Sequence, residues 1–238
     1  MKNTEDLSPK KKGLVFDFDG TLANSLTAPF GAFHYALKQV SASVKSDDDI
    51  RRYFGTGADK IFAELLIHSE HSTEKAKEKA TQKAIEAFQH YLHYQEINAS
   101  FCTWHFGIES LLDKISKAKT PTAIVTGRHS EDLKRVSKTL KLNDYFEFQI
   151  CDDHLKFSKP NPDGINLAAL KLGLKPSQIM YVGDSLVDLM AARAAGAVGV
   201  AALWDLNVDT ESLKSHAHFC AHTADEVWKT FTEWHPQS

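Results

Sequence analysis

An α/β fold is predicted, a parallel sheet flanked by helices with a helical domain inserted early in the chain. Three observations predict it. Short apolar runs of strand length alternate with helix-like stretches through the second half. Each run gives way at its C-terminal end, directly or in the following loop, to a conspicuous polar residue. Between the first run and the second lies far more chain than a parallel crossover needs.

Leu14-Val15-Phe16 reads as a buried strand whose end meets solvent at Asp17-Phe18-Asp19-Gly20. Residues from about Asn24 to Phe106 read as four helices. Thr27 ahead of Pro29 opens the first, continued by Phe30, Phe33, Tyr35 and Leu37. Ser46 before Asp47, Asp48 and Asp49 opens the second, with acids at its positive end. Ile61, Phe62, Leu65 and Leu66 mark the third. The fourth runs from about Thr73 to Glu96, with Ala76, Ala80, Ala84, Phe88 and Leu92 on one face and a solvated Lys/Glu face opposite. The alternation then begins, with a strand at Thr122 to Val125 and a helix from Ser130 to about Leu142. A weaker strand at Phe146 to Ile150 leads into the loop Ser158-Lys159-Pro160-Asn161-Pro162, and a helix covers about Asp163 to Leu172. The strand Ile179 to Val182 precedes a helix over Leu186 to Ala195 that stops at Gly196, and Val198 to Ala202 is the fifth strand.

Composition narrows the function classes. With 28 Lys+Arg against 31 Asp+Glu in 238 residues the net charge is −3, so no basic field exists to hold nucleic acid or an anionic membrane. A content of 42% hydrophobic and 25% charged residues is that of a globular chain able to bury a core. The longest uncharged, largely small-residue stretch, Ala194 to Trp204, is too short to span a bilayer. The N-terminus carries early acids and no apolar stretch, unlike a secretory signal. Cys102, Cys151 and Cys220 form neither a disulfide framework nor a metal spacing, and a cytoplasmic location is expected.

The polar groups at the strand ends are Asp17 and Asp19, Thr126, Lys159, and Asp184 with Asp188. Ligands of open α/β sheets bind outside the carboxyl ends of the strands, so these groups are expected to meet in one crevice. Taken singly, each has a plainer reading. Asp19-Gly20 is a turn dipeptide, Asp184 or Ser185 a helix cap, Lys159 a loop lysine. Asp17 resists such a reading, because an acid set between Val15-Phe16 and Phe18 is costly to desolvate without a cation or donors nearby.

Asp17-Phe18-Asp19-Gly20-Thr21-Leu22, Thr126-Gly127, Lys159-Pro160 and Gly183-Asp184-Ser185-Leu186-Val187-Asp188 resemble the four motifs of the haloacid dehalogenase superfamily. Their order and spacing are similar to those of its phosphoglycolate-phosphatase-like branch, whose helical cap lies between the first and second motifs. The resemblance implies a Rossmann-like core over residues 1–23 and 107–238 and a four-helix bundle cap over 24–106. It also implies a Mg²⁺-dependent phosphatase for a small phosphorylated metabolite, phosphoglycolate being the first choice.

The chemistry calls for such residues. A phosphate monoester is a dianion, and a carboxylate can attack its phosphorus only if charge is offset. Mg²⁺ takes hard oxygens, usually one or two carboxylates plus substrate phosphate. Asp17 and Asp184 suit that role, and the resemblance adds the Asp19 carbonyl. Asp17 would be the nucleophile and Asp19 the acid and base. Lys159, the Thr126 hydroxyl and the Gly127 backbone would steady the transferring phosphoryl group. Asp188, one helical turn beyond Asp184, would hold Lys159 or a water, and Ser185 would bind a metal water or cap the helix.

Arg128, Arg52 and Lys60 are further candidates for contact with an anionic substrate, the last two flanking the glycines of Phe54-Gly55-Thr56-Gly57. Each also reads as a surface charge. His90 and His93 share a helix face without acidic or cysteine partners and are read as surface residues. Three other functions bear weighing. A phosphonate hydrolase would use a cap lysine such as Lys60, yet relatives of that kind lack the second acid found here as Asp19. A phosphomutase would carry a histidine where Pro29 stands. A silent phosphate-binding protein would lack an essential group, and none is missing. A monomer or homodimer is expected.

Overall fold

The computed structural model describes residues 11–24, 27–53, 56–67, 74–98, 102–205 and 210–236. Phe54, Gly55, the expected helix start at Thr73 and the N-terminal segment read for a signal, up to residue 10, lie outside the described residues. So do the side chains of Thr27 and Pro29.

A six-stranded parallel sheet forms the base. Its strands are β1 (Gly13–Phe16), β4 (Thr122–Val125), β5 (Phe148–Ile150), β6 (Ile179–Gly183), β7 (Val198–Ala202) and β8 (Phe219–Ala221). Their order is β5-β4-β1-β6-β7-β8. β1 is hydrogen-bonded on both sides, to β4 and to β6, and all four of its residues are buried, which is why it reads as an unbroken apolar run. Side chains alternate faces. Leu14 and Phe16 join one buried cluster with Ile124, Met180, Val182 and Leu111, while Val15 joins the other with Ala123, Val125, Tyr181 and Ala191. The first cluster is closed by α5 (Ile108–Lys117), α6 (Ser130–Leu140) and α10 (Ala224–Glu233), the second by α7 (Asp163–Lys171) and α8 (Leu186–Ala195). α9 (Thr210–His216) packs through Leu213 against Leu189 and Ala201.

Four helices follow β1, as expected: α1 (Thr27–Gln39), α2 (Asp47–Arg51), α3 (Ala58–Ile67) and α4 (Glu74–Asn98). Ser46 caps α2 through a bond from the Asp49 N–H to its hydroxyl. The four share an apolar cluster of their own, including Phe33, Leu37, Ile50, Phe62, Leu65 and Tyr91. Along α4 the buried stripe is Ala80, Ala84, Ala87 and Tyr91. Phe88 and Leu92, expected on that stripe, are turned to the neighbouring face and are half-buried.

The chain crosses between sheet and helices twice, and the crossings pair as a short antiparallel ribbon, β2 (Ala23–Asn24) with β3 (Thr103–Trp104). Neither this ribbon, nor α5, nor anything beyond Ala202 is in the sequence reading. β1 lies where the strand order turns, since the chain passes from β1 to one side of the sheet and from β5 to the other. The carboxyl ends of β1, β4 and β6 therefore open on one crevice. Among the described residues no helix is long and apolar enough to cross a membrane.

Candidate active site

Asp17 leaves the end of β1 with its N–H bonded to the Val182 carbonyl at 2.9 Å and its side chain almost fully buried. The Lys159 ammonium lies 2.8 Å from Asp17 Oδ1 and 2.6 Å from Asp188 Oδ1. Lys159 is thus no plain loop lysine, for its side chain is 3% exposed. Asp188, in the first turn of α8, takes the Ser185 N–H at 3.1 Å and the Ser185 hydroxyl on its other oxygen. Ser185 accordingly caps the helix. The Tyr181 hydroxyl stands 3.0 Å from both the Val125 carbonyl and Asp188 Oδ1, and 3.3 Å from Lys159 Nζ, tying β4, β6 and α8 into one buried network.

Asp184 follows β6 and accepts a bond from the Thr21 hydroxyl at 2.8 Å. The turn after Asp19 makes this possible. Gly20 adopts φ +76°, and a Cβ there would collide with the Asp184 carboxylate, so both the backbone conformation and the close approach demand glycine. Carboxylate oxygens of Asp17, Asp184 and Asp188 come within 4.8 Å of one another.

The electrostatics follow from that crowding. Burial, then repulsion from Asp188 and Asp19, pushes Asp17 up to about 7 against the pull of Lys159. Burial and the charges of Asp17 and Asp188 push Asp184 well above the usual carboxylate range. Burial works against the Lys159 ammonium, yet Asp17 and Asp188 outweigh it and hold the proton tightly. Three carboxylates face one ammonium, a negative excess made of hard oxygen donors. That set has the chemistry to hold a divalent cation such as Mg²⁺.

Thr126 and Gly127 follow β4 and line the same cavity, the Thr126 hydroxyl accepting the Arg128 N–H at 3.1 Å. Arg128, which reads from sequence as a substrate contact or a surface charge, is not on the surface: it is 5% exposed and lines the cavity, its guanidinium gripping both oxygens of Asp19, Nε to Oδ2 at 2.7 Å and Nη2 to Oδ1 at 2.6 Å, while Nη1 holds Asp132 Oδ2 at 2.8 Å. A neighbouring acid pair outcompetes solvent for a buried fork of donors. Of the two cap cations, Lys60 turns its ammonium to Asp152 Oδ2, at 2.6 Å, and to the Ser158 hydroxyl. The Arg52 side chain is 74% exposed and 3.4 Å from Asp49. Neither lines the cavity, and the position of Lys60 gives no support to the phosphonate reading. His90 lies beside Glu86 and His93 is exposed, and neither belongs to a metal-capable cluster among the described residues.

The cavity measures about 680 Å³ including its open mouth. Its floor is Asp17, Asp19, Thr126, Arg128 and Asp184, and its opposite wall is Phe33, Ile61, Phe88, Tyr91 and Leu92 of the helices. The two sides meet at a seam where His129 lies 3.2 Å from Asp59 and packs at a tilt against Phe88, ring centroids 4.8 Å apart. Sequence reasoning passed over Thr21, Tyr181 and Asp132. Thr21 carried a signal, as a hydroxyl in the turn beside two acids. Tyr181 sits in an apolar strand and reads as core.

Comparison with known proteins agrees with this geometry. The family model described as haloacid dehalogenase-like hydrolase matches residues 14–202. A phosphoglycolate phosphatase of Pectobacterium atrosepticum is 28% identical, over 82% of this chain and 82% of its own length. One from Escherichia coli K12 is 26% identical over 87% and 85%. Among solved structures, a predicted phosphoglycolate phosphatase from Haemophilus somnus superposes with a TM-score of 0.77 at 23% identity, over 92% of this chain and 97% of that one. A haloacid dehalogenase-like hydrolase from Bacteroides fragilis gives 0.77 at 21%, over 91% and 100%. At these identities the structural likeness speaks for the fold.

Proposed function

This chain belongs to the haloacid dehalogenase-like hydrolase family, and on that premise we propose that it is a Mg²⁺-dependent phosphatase hydrolysing a small phosphorylated metabolite through an aspartyl-phosphate on Asp17. Phosphoglycolate, the substrate for which its relatives are named, is the reference compound. Residues 24–106 would serve as the cap and the rest as the core.

Bound between Asp17, Asp184 and the Asp19 carbonyl, Mg²⁺ would offset the charge of the substrate dianion and of the attacking carboxylate. Asp17 forms a bond from a carboxylate oxygen to phosphorus as the ester P–O bond breaks. Asp19 gives its proton to the departing oxygen, then takes one from the water that attacks phosphorus and frees Asp17. Arg128 fixes the orientation of the Asp19 carboxyl through both of its oxygens. Lys159 holds Asp17 in line and meets charge that spreads over the phosphoryl oxygens, with the Thr126 hydroxyl and Gly127 N–H beside it.

The reading rests on one observation above the others, that acids from the first and fourth motifs converge with a single buried lysine. Asp17→Asn should lower Mg²⁺-dependent phosphate release from 4-nitrophenyl phosphate by at least about a thousandfold with an unchanged circular dichroism spectrum. Turnover within tenfold of the parent would remove Asp17 as nucleophile.

A further inference from the structure

The two sides of the cavity differ in what they can pair. The floor is rich in charge, whereas the wall made by α1, α3 and α4 presents Phe33, Ile61, Phe88, Tyr91 and Leu92. Among the described residues lining the cavity, Arg128 and His129 are the only basic side chains, and both are engaged. Arg128 is held by Asp19 and Asp132, and His129 Nε2 faces Asp59 at 3.2 Å. Lys60 and Arg52, the nearby cap cations, are turned to Asp152 and Asp49.

A substrate reaching Asp17 with its phosphoryl group must lay its leaving group against that wall. A carboxylate there would lose hydration and gain no cation, while the floor adds four acids of its own, Asp17, Asp19, Asp132 and Asp184. An apolar ring would trade water for aromatic and aliphatic surface. The wall is already built from rings in contact, with Phe33 and Tyr91 centroids 4.9 Å apart and Phe88 on the His129 imidazole at 4.8 Å.

We propose that the preferred substrate is a phosphomonoester whose leaving group is an uncharged, apolar, ring-bearing alcohol seated against Phe33, Phe88, Tyr91 and Leu92. The inference rests on the phosphatase reading and goes beyond it by naming the class of alcohol released.

The test compares benzyl phosphate with phosphoglycolate, both esters of primary alcohols, so that leaving-group acidity weighs little and the wall decides. With saturating Mg²⁺, kcat/KM for benzyl phosphate should exceed that for phosphoglycolate by tenfold or more. Phe88→Ala should lower the benzyl phosphate value by about tenfold, chiefly through KM, and the phosphoglycolate value by only about twofold. Leu92→Lys, at a half-buried position, should shift the ratio at least about threefold toward phosphoglycolate. Equal or better use of phosphoglycolate by the parent, or ratios unchanged in both variants, would overturn the inference while turnover of 4-nitrophenyl phosphate kept the phosphatase reading intact. If none of the three esters is hydrolysed, both fall together.

Discussion

The floor and the opposite wall of the cavity are built on opposite principles. On the floor every charged group is fixed by at least one other, Lys159 by two acids, Asp188 by Lys159 and Ser185, Asp184 by Thr21, Asp19 by Arg128. The wall is held chiefly by packing, from side chains that double as the edge of a helical core, with Gln95 Nε2 donating to the Tyr91 hydroxyl at 3.0 Å. Electrostatic networks at low dielectric are intolerant of loss, because each deletion strands a buried partner. Apolar contacts are graded, each contributing in proportion to the area it covers. Chemistry is thereby placed where change is costly, and selectivity where change is cheap.

That contrast can be broken most severely at Lys159. Lys159→Met leaves Asp17 and Asp188 facing each other in the interior, and urea denaturation should show a loss of about 3–5 kcal/mol together with the loss of turnover. A variant as stable as the parent would mean that the floor is not held electrostatically. Next comes Arg128→Lys, which keeps the charge but gives up the two-pronged hold on Asp19. We expect kcat to fall by about 10–100-fold for alkyl phosphates and far less for 4-nitrophenyl phosphate, whose leaving group needs little protonation. Equal losses on both would place Arg128 outside the proton-transfer step.

The smallest effect sharpens the contrast through pH. Asp17 is raised to about 7, so below that pH it carries a proton that a bound cation must displace. Apparent Mg²⁺ affinity, followed by titration of activity, should therefore weaken on the acid side, by about tenfold per unit below about pH 7. Mg²⁺ affinity independent of pH would remove Asp17 as a ligand.

Legibility in the sequence follows the same divide. Asp17, Thr126, Lys159, Asp184 and Asp188 stood out because each is a polar residue at the end of, or soon after, an apolar run, and the fold brings all five to one crevice. Helix α8 and strand β7 matched to the residue, the former ending at Gly196 with φ +74°. The wall was not legible. Ala84, Phe88 and Leu92 share one helical face by periodicity, yet Ala84 packs into the helical cluster while Phe88 and Leu92 border the cavity. Spacing along one helix cannot say which neighbour each side of that face meets. Lys60 and Arg128 were read as candidate substrate contacts from the glycine loop before one and the Thr126-Gly127 before the other, and the acids that pair with them lie far along the chain or on the next turn. The C-terminal β8 is three residues long and carries too little pattern to read.

The ribbon of β2 and β3 joins outgoing and returning chain edge to edge, and the His105 N–H reaches back to the Leu22 carbonyl at 2.9 Å. Two tethers fastened in this way are held in one register, so a displacement of either crossing is carried to the other.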